Sequence, residues 1–167
     1  MAIYIGLGAN LDSPLGPPLT TLESALERFP AHGLHVVCRS RWYRSAAYPD
    51  PSDPPFVNGV VEIETDLDPA QLLEVLHRIE ADFGRRRRRQ WEPRPIDLDL
   101  LAYGDLRLEA SDGGPQVPHP RLAERAFVLL PLRELAPDWH HPESGASIAA
   151  LIAALPPAAV AEPLPAA

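Results

Sequence analysis

Ile96-Asp97-Leu98-Asp99-Leu100-Leu101-Ala102 alternates apolar with acidic residues and then stays apolar, the pattern of a strand that buries one face. Upstream of it, Asp68-Pro69 supplies an N-cap and a first turn. Leu72, Leu76, Ile79 and Phe83 then form one apolar helical stripe that stops at Gly84. Before that helix, residues 34–43 and 56–65 read as two strands, joined by a long proline-bearing loop over residues 44–55. Residues 3–7 read as a buried first strand, and Leu19, Leu22, Ala25, Leu26 and Phe29 fall at helical spacing after Pro17 and Pro18. The strand at 96–102 therefore completes a β-α-β-β-α-β order. That order predicts an α+β, ferredoxin-like sandwich, an antiparallel sheet with helices packed on it. Downstream, residues 106–109 are expected to add a strand, residues 121–135 to be helical with an interruption at Pro131, and residues 147–155 to close a single domain spanning 1–155. The Pro/Ala-rich stretch 156–167 is expected to be a frayed, flexible tail.

Asp97 and Asp99 project from the same face of their strand. At about 3.3 Å per residue their Cα atoms lie roughly 6.6 Å apart, so the carboxylates can lean together around two cations ~3.5–4 Å apart. Asp is a poor strand former and two on one face repel, so a nearby cation is the simplest way to make the arrangement tolerable. Glu62 and Glu64 repeat the spacing, but no arginine cluster precedes them and they read as the wet face of a half-exposed strand. Asp97, by contrast, follows five consecutive arginines, Arg85 to Arg89, and then Trp91 and Arg94. Guanidinium groups grip phosphate oxygens in pairs, and Mg²⁺ takes one or two carboxylates together with substrate phosphates. A polyphosphate nucleotide with Mg²⁺ satisfies both demands.

Composition narrows the alternatives. The chain has no lysine and no Gly-x-x-x-x-Gly-Lys-Ser/Thr segment, which excludes a P-loop. Gly6-Leu7-Gly8-Ala9-Asn10 carries two glycines of a dinucleotide fingerprint and lacks the third. A length of 167 residues, 46% hydrophobic and 23% charged, suits one globular domain. Net charge is −8, so the arginine run, a third of the fifteen basic residues, is a local basic site on an acidic body. A nucleic-acid binder would spread basic charge over a face. No apolar run approaches the ~20 residues of a membrane span and the N-terminus lacks the look of a signal peptide, so a cytoplasmic protein without membrane or nucleic-acid partners is expected. Cys38 lies in an alternating pattern and reads as a small buried side chain. His140 and His141 have no acidic or cysteine partners at metal spacing and read as surface residues, as do His32 and His35.

Four separated stretches give the chain a specific resemblance. They are Tyr4-Ile5-Gly6-Leu7-Gly8-Ala9-Asn10-Leu11; Tyr43-Arg44-Ser45 with Phe56-Val57-Asn58; Gly84-Arg85 through Trp91-Glu92-Pro93-Arg94-Pro95-Ile96-Asp97-Leu98-Asp99; and Pro118-His119-Pro120 with Arg125-Ala126-Phe127-Val128-Leu129. In content and order they resemble the 6-hydroxymethyl-7,8-dihydropterin pyrophosphokinases of the folate pathway. The resemblance implies transfer of the β,γ-pyrophosphoryl group of MgATP to the pterin hydroxymethyl oxygen, with release of AMP. It implies that Asp97 and Asp99 hold two Mg²⁺ ions and that Arg85 and Arg94 clamp the transferring group. On the ATP side it implies Glu80, Arg87, Arg88, Trp91, Leu100, His119 and Arg125, with His77 beside Glu80. On the pterin side it implies rings from Phe56 and Phe127, the amide of Asn58, and backbone around Ser45, Ala46 and Tyr48. A flat heterocycle with an amide edge calls for such groups. A monomer is the expectation.

The chain departs from the family pattern at Glu92, where glycine is usual, and at Gly113-Gly114-Pro115-Gln116, which lacks an arginine that some members carry. An RNA-binding domain of the same topology would display stacking aromatics on its central strands, and residues 3–7 and 96–100 do not suit that role. A non-catalytic nucleotide- or RNA-binding domain and a kinase that releases ADP stay open as alternatives.

Overall fold

Small and apolar residues from Ile3 to Ala9 form β1, an inner strand of the sheet buried along its whole length. The computed structural model describes residues 2–10, 16–45, 56–83, 96–110, 114–157 and 159–164. After β1 come α1 (Pro18–Arg28), β2 (His35–Arg39), β3 (Tyr43–Ser45), β4 (Phe56–Glu64), α2 (Pro69–Asp82), β5 (Asp97–Tyr103), α3 (Ala126–Leu135), α4 (Ile148–Ala153) and β6 (Ala161–Pro163). The six-stranded sheet runs β5-β1-β4-β3-β6, with β2 beside β3 on the same flank of β4. All described pairings are antiparallel. Counting β2 and β3 as one interrupted strand, this is the expected ferredoxin-like order.

Each face of the sheet has its own helical layer. Ile3, Ile5, Leu7, Val61, Ile63, Leu98 and Leu100 point to one side and pack against Leu22, Ala25, Leu26 and Phe29 of the first helical segment and Leu72, Leu76 and Ile79 of α2. Burying each of the larger of these side chains contributes roughly 1.5–3 kcal/mol. The apolar stripe on α2 is positioned by a capping box: Asp68 accepts the Gln71 amide while the Gln71 side chain accepts the Asp68 amide. Tyr4, Val60, Leu101 and Ala102 face the other way, toward α3 and α4. Between Tyr4 and Ile5 the β1–β5 register shifts by one residue. That bulge lets Leu101 and Ala102 both serve the second core. No helix among the described residues is long and apolar enough to cross a membrane.

Several expectations are corrected. Residues 34–43 form two strands, because the chain turns out of the ladder at Ser40 to Trp42. There the Ser40 hydroxyl accepts the Val60 amide at 3.0 Å, Glu134 accepts the Arg41 amide at 2.9 Å, and the Trp42 ring lies where a Cβ on Gly59 would meet it at 2.7 Å. Cys38 is half-buried, not enclosed. Residues 106–109 contribute one isolated bridge, Leu108 to Val117, and no strand. Pro131 does not break α3, which continues to Leu135. The buried packing of Val128, Leu129 and Leu132 outweighs the single hydrogen bond that proline removes. Part of the tail is ordered into the sheet: Ala161–Pro163 pair with β3 as β6.

Candidate active site

Among the described residues, α3 and α4 cover only part of the second face of the sheet, and the predicted site residues gather beside them. Asn58 stands opposite Gly8, and Gly8 opposite Asp97; the next row aligns Val60, Gly6 and Asp99. Opposed residues in an antiparallel pair share a face, so Asp97, Asp99 and Asn58 project together. The glycines are the floor between them. A Cβ on Gly8 would come within 2.6 Å of Asn58 Oδ1, and one on Gly6 within 3.3 Å of Leu101. The carboxylates are half-exposed, while Leu98 and Leu100 between and after them are buried. The alternation read from sequence is thus realised in space.

β5 is an edge strand, and its outer backbone is held by groups from elsewhere. Glu80, 1% exposed on α2, accepts the Leu98 amide at 2.9 Å, and the His119 amide donates to the Leu101 carbonyl at 2.8 Å. His119 follows the cis Val117–Pro118 peptide. Its Nδ1 accepts the Arg121 amide at 3.1 Å, which puts the proton of the neutral ring on Nε2. Burial, with help from the charges of Arg125 and Arg121, pushes the imidazole down to about 4. A neutral donor is what remains near pH 7. Along this edge a cleft of about 230 Å³ opens between Leu73 and His77 of α2, Leu98, Asp99 and Leu100 of β5, and the loop carrying Gln116 and His119.

Arg125 occupies the N-cap position of α3, makes no side-chain capping bond there, and joins the two halves of the site. Its guanidinium lies 4.0 Å from Asp99 and 5.3 Å from the centre of the Phe127 ring. Burial lowers its pKa, opposed by the attraction of Asp99. On the far side of Gly8, the Asn58 amide donates to Ser45 Oγ at 3.1 Å, and Phe56 pairs with Ser45 on the same face. Asn58 and Ser45 are buried, and Phe56 and Phe127 are half-buried. Among the described residues the arrangement joins an acidic pair, the Arg125 guanidinium, a neutral imidazole and an amide flanked by two aromatic rings.

A family model described as 7,8-dihydro-6-hydroxymethylpterin-pyrophosphokinase (HPPK) matches residues 4–137. The chain belongs to this family. It is an HPPK, a pyrophosphokinase of folate synthesis. A relative from Synechocystis sp., named 2-amino-4-hydroxy-6-hydroxymethyldihydropteridine pyrophosphokinase, is 44% identical over 149 residues, covering 89% of this chain and 73% of its own. A relative of the same name from Pseudomonas aeruginosa is 40% identical over 154 residues, covering 92% and 91%. Among solved structures, wild-type Plasmodium falciparum HPPK-DHPS superposes with a TM-score of 0.67 at 16% identity, over 90% of this chain and 40% of that one. The chain thus spans two-fifths of that protein, and the likeness between them is one of fold.

Of the HPPK site residues expected from sequence, Asp97, Asp99, Arg125, Phe56, Asn58, Phe127 and Ser45 share one face, while His119 and Leu100 line the edge cleft. Glu80 is placed differently: its carboxylate is buried on the Leu98 amide. Ala46, Tyr48, Arg85, Arg87, Arg88, Trp91, Glu92 and Arg94 lie outside the described residues. Gly6, Gly8, Leu73 and Gln116 also border the site, with no role expected of them from sequence. The glycines were legible in principle, because two residues without side chains at period two on a strand leave one face bare.

Proposed function

We propose that this face transfers the β,γ-pyrophosphoryl group of ATP to the hydroxymethyl oxygen of 6-hydroxymethyl-7,8-dihydropterin, giving the pterin diphosphate and AMP. The alcohol oxygen bonds to the β-phosphorus, the bond from the β-phosphorus to the oxygen on the α-phosphorus breaks, AMP leaves, and the alcohol proton passes to solvent. The observation that carries this reading is the joining of an acidic pair, Asp97 and Asp99, to Phe127 and Asn58 through Arg125 and the glycine floor. We assign ATP to the edge cleft lined by Leu73, His77, Leu100 and Asp99, with its base toward α2 and its phosphates toward Asp99.

The donor set suits Mg²⁺. Two half-exposed carboxylates on one face offer hard oxygen ligands and leave coordination positions for phosphate oxygens and water. Substrate phosphates and water would complete the shell. Asp97 and Asp99 would hold the ions, two by the family resemblance, and the ions would offset charge on the triphosphate.

The chain's own groups then orient the reactants. Arg125 turns from Asp99 to a phosphate oxygen, and His119 Nε2–H donates to another, both in surroundings dry enough to strengthen the bonds. Phe56 and Phe127 hold the pterin between their faces, and Asn58, fixed by Ser45, reads its amide edge. Arg85, Arg87, Arg88, Trp91 and Arg94 are assigned to the phosphates, and Ala46 and Tyr48 to the pterin, on the family resemblance alone. Identifying the nucleotide made from MgATP and the pterin alcohol tests the proposal. AMP, formed one-for-one with pterin diphosphate, is expected. ADP would mean an ordinary kinase on the same scaffold, and no turnover with salt-sensitive RNA binding would mean a binding module.

A further inference from the structure

The family match ends at residue 137, yet the chain beyond it returns to the site. β6 lies along β3 with Ala161 opposite Ser45, Glu162 opposite Arg44 and Pro163 opposite Tyr43. The Leu164 amide donates to the Trp42 carbonyl at 2.8 Å. Bonded and non-bonded pairs alternate in an antiparallel ladder, so Arg44 and Glu162 exchange hydrogen bonds, whereas Pro163 falls where no amide is needed. This is how a proline-bearing tail can form a strand at all.

Without β6, β3 would be a three-residue edge strand. It carries Ser45, whose hydroxyl holds the Asn58 amide. Ala161, 7% exposed, packs in one cluster with Tyr43 and Ala126, and Phe127, Leu130, Leu155 and Ala159 close around it. Two of the groups assigned to the pterin, the Phe127 ring and the Ser45–Asn58 pair, therefore rest on the tail. The carboxylates and the edge cleft lie across β4 and β1 from it.

We propose that Leu155, Ala159 and Ala161 form the back wall of the pterin site, held there by the backbone ladder between β3 and β6, and that they act as positioning residues that set Phe127 and Ser45 for the pterin and leave the ATP side untouched. This rests on the pterin assignment made above. Its test uses the full-length chain. Glu162→Pro removes the ladder amide at an exposed position, and Ala161→Leu wedges bulk under Phe127 while keeping the ladder; Glu162→Ala is the control. Both test variants are expected to raise the KM for pterin by about tenfold with the KM for ATP unchanged, and the control to match wild type. Thermal melting of each variant registers any loss of folding, in which case the Ala161→Leu protein decides. Equal rises in both KM values, or an unchanged pterin KM in the folded variants, would overturn the proposal. Failure of the wild type to make AMP would instead overturn the functional reading on which it stands.

Discussion

His119 shows how one residue's surroundings set its chemistry. With the ring held near 4 and an unfolded value near 6.5, the unfolded chain binds a proton between those pH values that the folded chain does not. Stability should therefore fall as pH drops from 6.5 toward 4. His119→Gln is expected to flatten that slope, as read from urea midpoints at pH 7 and pH 5. An unchanged slope in the variant would assign the acid sensitivity to other groups. At this scale sequence was informative where a residue's partners are local: the same-face placement of Asp97 and Asp99 follows from alternation alone. It was silent where partners are distant. The fit of Gly8 against Asn58 and the reach of Arg125 from Asp99 to Phe127 depend on strand order and on the approach of α3, which no spacing encodes.

At the scale of elements, Glu80 illustrates how a strand edge is finished. Its carboxylate accepts the Leu98 amide midway between Asp97 and Asp99, so α2 holds the strand that presents the acidic pair. Glu80→Gln keeps an acceptor and should be tolerated. Glu80→Ala leaves a buried amide without one and should destabilise the fold by about 1–3 kcal/mol in urea titration. If the two variants were equally stable, the bond would carry little. The capped, striped α2 was legible because its signals are local. β2 and β3 read as one strand because their composition is continuous, and their separation depends on contacts from Glu134 and Gly59, distant in sequence. β6 was hidden for a related reason. Prolines and alanines favour no strand, and only the waiting edge of β3 gives them one.

At the scale of the whole molecule, the antiparallel sheet separates two tasks. One face packs against α1 and α2 and supplies the larger core; on the other, among the described residues, polar groups stand beside a second core formed with α3 and α4. The β-α-β-β-α-β order was legible because each element announces itself by period and punctuation. The second helical layer was legible only in outline, and the way it frames the site was not, because it depends on packing across the sheet. The framing matters most for the acidic pair, which is tolerable on one face when a cation and a polyphosphate complete it. Calorimetric titration of ATP into the wild-type chain and into Asp97→Asn and Asp99→Asn chains, each with and without Mg²⁺, measures this directly. Mg²⁺ is expected to tighten ATP binding to the wild type by about two orders of magnitude and to have little effect in either variant, with thermal midpoints preserved. Equal tightening by Mg²⁺ in all three proteins would contradict the assignment of these two carboxylates to the metal.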